Sequence, residues 1–152
     1  MNTTLIEQFY IIGIAVRTTN EDGQSGTDIP LLWHKFISEN IAAQIPNKID
    51  EAVYSIYTDY ELDHTKPYTT ILGCRVANLE NVPEALTGKL IEGGPYAITT
   101  VKGNLNDNIV FKEWQKIWSA DIPRTFKADF EVYGTKAQNP ADAEVDIFLS
   151  VS

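Results

Sequence analysis

Glu131 sits in the run Ala128-Asp129-Phe130-Glu131-Val132-Tyr133, a carboxylate set among apolar and aromatic residues. Just upstream, Trp114 and Trp118 are spaced i and i+4, which places both rings on one face of a helix that Pro123 follows. Strand alternation directs Glu131 to the face opposite Phe130 and Val132. A carboxylate beside aromatic surface is a means of holding an organic cation. The acid supplies the charge, and each ring adds a cation–π contact of about 0.5–2 kcal/mol, strongest for Trp. A buried carboxylate is costly unless paired, and a bound cation would supply the pair. The same alternation also describes an ordinary solvent-facing carboxylate on an edge of the core. Both readings stand at this level.

Four further aromatic residues belong to the candidate set. Tyr133 shares the strand face of Glu131, and Tyr57 occupies the corresponding place in an earlier strand. Trp33 lies in the first helical segment. Phe148 interrupts the polar set Glu144, Asp146 and Ser150 on the last strand, so something should cover it. Each of these reads equally well as a core residue, and by spacing alone Trp114 and Trp118 belong to a core more than to a pocket.

Other chemistry has little support. His34 and His64 are isolated from each other and from any Cys grouping, so no metal ligation is expected. Cys74 is the single cysteine; it excludes an internal disulfide and reads as a small buried residue. Gly93-Gly94-Pro95 precedes a strand and lacks the Lys-Ser/Thr ending of a phosphate loop. No cofactor is expected.

The elements that must position these residues follow from pattern. Strands are expected over Phe9–Thr18, Ala52–Glu61, Tyr68–Ala77, Ala128–Gly134 and Glu144–Val151. Lys89–Gly103 reads as one strand broken at Gly93-Gly94-Pro95. Helices are expected at Asp28–Ala43, capped by Asp28 with Pro30 in the first turn, and at Asn108–Ala120, capped by Asn106 or Asn108. The order is β-α-β-β twice. A shift of 78 lays Trp33 on Phe111 and Phe36 on Trp114, and a shift of 76 lays Tyr54-Ser55-Ile56-Tyr57 on Phe130-Glu131-Val132-Tyr133. The reading is one α+β domain over residues 1–152, with halves near 1–80 and 81–152. A duplicated βαββ unit gives an antiparallel sheet, two helices, pseudo-two-fold symmetry and a central cleft.

The net charge is −9, with 12 Lys and Arg that form no cluster of three. Nucleic-acid binding requires a basic patch, so no direct contact with nucleic acid is expected. An acidic field favours cationic small molecules, although it also simply keeps a protein soluble. No apolar run approaches the ~20 residues of a membrane helix, and the first residues lack a signal-peptide pattern. A cytoplasmic location without membrane partners is the default expectation.

The chain resembles the GyrI-like effector-binding domains, the ligand-sensing part of multidrug-responsive transcription regulators. The resemblance is carried by Gly93-Gly94-Pro95-Tyr96-Ala97, by Trp114 and Trp118, by Asp129-Phe130-Glu131-Val132-Tyr133, and by Val145-Asp146-Ile147-Phe148-Leu149. It also looks like the stand-alone cationic-drug-binding members carried on mobile gene cassettes. The resemblance implies a cleft whose acidic residue, matched here by Glu131, meets cationic or amphipathic molecules. The charge of −9 and the lack of a second obvious acid favour a binding protein over an enzyme, with two alternatives. One is a hydrolase of small reactive electrophiles, with Glu131 as general base and Tyr57 or Tyr133 as proton donor. The other is a gyrase-inhibitor-like protein-binding module. The chain opens at its first strand with no helix-turn-helix, so a regulatory role would not place it on the operator itself.

Overall fold

The computed structural model describes residues 2–152. Eight strands form one antiparallel sheet: β1 (Asn2–Ile6), β2 (Phe9–Thr18), β3 (Val53–Thr58), β4 (Tyr68–Val76), β5 (Thr87–Ile91), β6 (Gly94–Gly103), β7 (Arg124–Tyr133) and β8 (Ala143–Val151). Three helices join them, α1 (Ser25–Ser38), the single-turn α2 (Ile41–Gln44) and α3 (Ile109–Ser119). The spatial order is β1-β6-β8-β7-β3-β4-β2-β5.

That order reads the same from both ends of the chain's repeat. β6, β8 and β7 mirror β2, β4 and β3 across the central β3–β7 pair, giving the pseudo-two-fold expected of a duplicated βαββ unit. The axis can be placed. Ser55 is the register partner of Glu131, and it is also its equivalent under the shift of 76. The local two-fold therefore passes through the Ser55–Glu131 pair.

Two strands depart from the expected pattern. β1 was not anticipated, because Asn2–Ile6 is short and largely exposed, and only its pairing with β6 defines it. Lys89–Gly103 is not one broken strand. Residues of β5 pair with β2 at one edge of the sheet, whereas β6 pairs with β1 and β8 near the other. At the joint, a side chain on Gly93 would press on the backbone of Ile6, Glu7 and Gln8. β1 and β5 thus each cross to the opposite half, and the halves interlock by exchanged edges.

The first helix is also shorter than expected. It stops at Ser38, and Asn40 takes a left-handed conformation (φ 51°) before α2 begins. Asp28 lies within α1 and caps nothing; its Oδ2 accepts from Thr18 Oγ1 (2.9 Å) and Gln24 Nε2 (3.0 Å), tying α1 to the end of β2. Asn108 precedes α3 in a left-handed conformation with no side-chain cap bond. Asn104 instead caps the preceding single turn through Asn106 N.

Three apolar clusters follow from this arrangement. α1 and α2 cover Ile12, Ile14, Leu72, Cys74 and Val76 of β2 and β4. α3 covers Val101, Val145, Ile147, Leu149 and Val151 of β6 and β8 through Trp114 and Ile117. The alternation along β8 was legible, and its four aliphatic residues are all buried. On the other face, Phe9, Ile11, Ile56, Ile71, Tyr96 and Phe130 pack together with no helical residue among them. A sheet that seals its own back face must curl over it. Gly13 and Gly73 stand opposite one another in β2 and β4, where a Cβ on either would collide with a carbonyl of the facing strand.

Candidate functional site

α1 and α3 sit over the same face of the sheet, one on each half, and a groove runs between them above β3 and β7. One part of the groove is a cavity of about 380 Å³. Glu131 lies at its base, 2% exposed. Oε2 accepts from Trp114 Nε1 at 2.6 Å and from the Tyr57 hydroxyl at 2.7 Å; Oε1 accepts from the Tyr133 hydroxyl at 2.6 Å. Ser55 Oγ donates to the Tyr57 oxygen at 3.1 Å and completes the chain.

All these donors are neutral. Burial raises the Glu131 carboxyl above its ordinary range, and the bonds from Tyr133, Tyr57 and Trp114 oppose that rise without cancelling it. No Lys or Arg contributes. Burial and the adjacent carboxylate hold the Tyr57 and Tyr133 hydroxyls well above their ordinary value, so both remain donors. The result is a desolvated acid, positioned by hydrogen bonds and lacking a counter-charge.

The walls are aromatic. Tyr57 packs edge-to-face on Trp114 at 5.4 Å between centroids, and Trp33 does the same on Tyr133 at 4.9 Å. Trp118 meets Phe111 edge-on and His64 face-to-face, at 6.0 and 5.8 Å. Six residues singled out in the sequence therefore line one cavity: Glu131, Trp114, Trp118, Tyr57, Tyr133 and Trp33. Phe148 is not among them. It pairs with Phe130 in register and stacks on that ring at 4.6 Å, on the opposite face of the sheet. Its expected cover exists, but the alternation that exposes Glu131 to the cleft turns Phe148 away.

Sequence reasoning missed the other end of the cavity. Tyr60, His64 and Tyr68 come from the β3–β4 connection and the start of β4, and Arg124 opens β7. Arg124 Nη2 pairs with Asp129 Oδ2 at 2.6 Å, with both side chains at most 5% exposed. The Tyr60 hydroxyl and Ser150 N also donate to Asp129, so this carboxylate is fully committed. The Arg124 guanidinium lies 4.4 Å from the Phe126 ring centre and 5.7 Å from that of Trp114. Burial, then the Arg124 charge, pushes His64 below its usual value, which favours a neutral ring. The one available signal was Asp129, a second carboxylate in an apolar strand that required a partner. Arg124 lay in the stretch between the expected helix and the expected strand, to which no element was assigned, because β7 bulges between Arg124 and Asp129 and Phe126 has φ 55°.

Among the described residues, no three His, Cys, Asp or Glu side chains group in a way that could hold a metal ion. No helix is long and apolar enough to cross a membrane.

An eight-stranded antiparallel sheet built from duplicated βαββ halves is the architecture of the GyrI-like effector-binding fold. The chain belongs to the integron-associated effector binding protein family, whose pattern matches residues 4–151. It is similar to the integron cassette protein VCH_CASS2, from the mobile metagenome of Vibrio cholerae, at 26% identity and a TM-score of 0.76, covering 99% of this chain and 95% of that one. It is 27% identical over 143 residues to the putative transcriptional regulator protein YobU of Bacillus subtilis (strain 168), spanning 91% of this chain and 89% of the relative. SAV2435, solved bound to tetraphenylphosphonium, shares the fold at a TM-score of 0.80 and 13% identity, with 99% and 93% of the two chains covered.

Proposed function

We propose that this effector-binding protein takes a lipophilic organic cation in the α1–α3 cavity, with the positive centre against Glu131 and apolar groups against Trp33, Trp114 and Trp118. The observation that carries this reading is the state of Glu131: buried, raised in pKa, and hydrogen-bonded only by neutral donors. A bound cation supplies the missing charge, and a low-dielectric site strengthens that attraction. The tetraphenylphosphonium held by SAV2435 is a ligand of this chemical type. Binding of such a compound would serve sensing, sequestration or the control of transcription through a partner. A hydrolytic reading, with Glu131 as general base, has no second carboxylate to draw on, because Glu131 is the one carboxylate among the described residues that lines the cavity.

The direct test is calorimetric titration of wild-type protein with phenyltrimethylammonium and with tert-butylbenzene, which has the same shape and no charge. Preference for the cation by about one to two decades in affinity is expected from a charge-assisted contact of roughly 1.5–3 kcal/mol. Equal affinity for the two would overturn the proposal.

A further inference from the structure

The groove between α1 and α3 continues past the cavity that holds Glu131. Next to it lies a second cavity of about 750 Å³. Five residues line both: Trp33, Asn108, Val110, Phe111 and Tyr133. Trp33 and Tyr133 pack edge-to-face, so two aromatic rings stand in the partition. The far walls are largely apolar and include Ile37, Val53, Leu105 and Ala137. Asp50 and Glu51 also line this cavity, and no Lys, Arg or His does.

Two large apolar side chains remain uncovered here. Ile37 is 71% exposed and Phe111 53% exposed. Apolar surface of this kind beside an apolar hollow can still be buried, and burial of a matching apolar group is favourable in proportion to its area. The two cavities are also linked through one side chain. The Tyr133 ring borders both, while its hydroxyl is held by Glu131 Oε1. A cation that draws Oε1 to itself weakens the bond that keeps Tyr133 in the partition.

We propose that the second cavity is the tail compartment of the same ligand site, taking the aliphatic or aryl tail of an elongated cation whose head rests against Glu131. This inference rests on the reading of Glu131 as a cation site and adds the shape of the ligand to it. Continuity assigns the occupant: the compartment shares five residues with the head-group cavity, so a single molecule can fill both. The reach agrees. Ser55 pairs with Glu131, and Asp50 lies five residues before Ser55. At ~3.3 Å per residue, Asp50 is at most roughly 17 Å from Ser55 along the chain, a span on the scale of the alkyl chain of a long-tailed quaternary ammonium. Compact cations fill only the first cavity.

The test is a titration series of butyl-, hexyl-, octyl- and decyl-trimethylammonium, each below its micellar concentration, with phenyltrimethylammonium as the compact reference. In the wild type, affinity is expected to keep rising to the decyl compound, by about fourfold per buried methylene. Ala137 lines the second cavity and not the first; Ala137→Trp places an indole ring in the second cavity, and it should keep the affinity for phenyltrimethylammonium and reduce the chain-length increment. Should that variant fail to fold, nuclear Overhauser contacts in the wild type decide instead. The terminal methyl of the bound decyl chain is expected against the methyl groups of Val53 and Leu105. A flat series, or a terminal methyl that contacts only first-cavity residues, overturns the tail compartment while phenyltrimethylammonium still binds. If phenyltrimethylammonium itself fails to bind, the cation site at Glu131 falls and the tail compartment with it.

Discussion

Ser55 and Glu131 face one another across the central β3–β7 pair, at the same place in the two halves of the repeat. The pseudo-two-fold axis passes between them, and the pair itself is asymmetric: a hydroxyl on one side, a carboxylate on the other. Their neighbours keep the symmetry. Tyr57 and Tyr133, each two residues further along its own strand, send their hydroxyls to opposite oxygens of Glu131, at 2.7 and 2.6 Å. Duplication thus supplies a pair of matched donors, and a single carboxylate on the axis uses both.

Removing either hydroxyl should therefore have the same sign of effect. Both bonds favour the ionised carboxylate, against the dominant cost of burial. Tyr57→Phe and Tyr133→Phe are each expected to raise the Glu131 pKa further, with the double variant raising it most. Carbon-13 NMR of the labelled Glu131 carboxyl reads this directly. An unmoved or lowered titration midpoint in both single variants would contradict the hydrogen-bond roles given to them.

The raised pKa has a consequence for stability without ligand. Glu131 has a folded-state pKa above its unfolded value of about 4.3. The folded protein holds this proton more tightly, so the contribution is full below the unfolded pKa and is lost as pH rises through the folded pKa. Glu131→Gln removes that dependence while keeping the size and most of the hydrogen bonding. The variant is expected to match the wild type near about pH 4 and to gain stability relative to it as pH rises to about 8. Thermal unfolding of both proteins across that range measures the difference. Glu131→Ala should behave oppositely, destabilising at every pH, because it leaves the buried Trp114 Nε1 without its acceptor, at a cost of about 1–3 kcal/mol, and also frees the half-buried Tyr57 and Tyr133 hydroxyls.

The Arg124–Asp129 pair carries a different expectation. Both groups are buried, so removing one leaves the other uncompensated. Arg124→Met is expected to cost about 3–5 kcal/mol of folding stability, and Arg124→Met with Asp129→Asn is expected to recover much of it. Urea unfolding of the two proteins checks this. A double variant no more stable than the single one would show that the charges are not the relevant partners.

How legible this was in the sequence depended on whether a signal was local. Strand alternation was enough to turn Glu131 and Tyr133 to one face and Phe130 to the other, and helical spacing put Trp114 and Trp118 on one helix face, whereas the bond from Trp114 to Glu131 appears only in the fold. The repeat found Tyr57 and Trp33, which no local pattern marks as site residues. The same alternation, followed strictly, separates Phe148 from Glu131, because Phe148 pairs with Phe130. Including it in the site overlooked cross-strand register, which a single strand does not reveal. Arg124, Tyr60 and His64 were out of reach for another reason: a bulge, a positive φ at Phe126 and a connection without regular structure bring them to the cavity. β1 and the separation of β5 from β6 rest wholly on long-range pairing between halves.

The central claim is that Glu131 confers preference for positive charge, and one comparison tests it most directly. Wild-type protein and Glu131→Gln are titrated calorimetrically with phenyltrimethylammonium and tert-butylbenzene at a pH above the folded pKa of Glu131. The account predicts that the substitution weakens the cation by about one to two decades, the equivalent of roughly 1.5–3 kcal/mol, and leaves the neutral compound nearly unchanged. Equal cation affinity in the two proteins, with both folded, would contradict it.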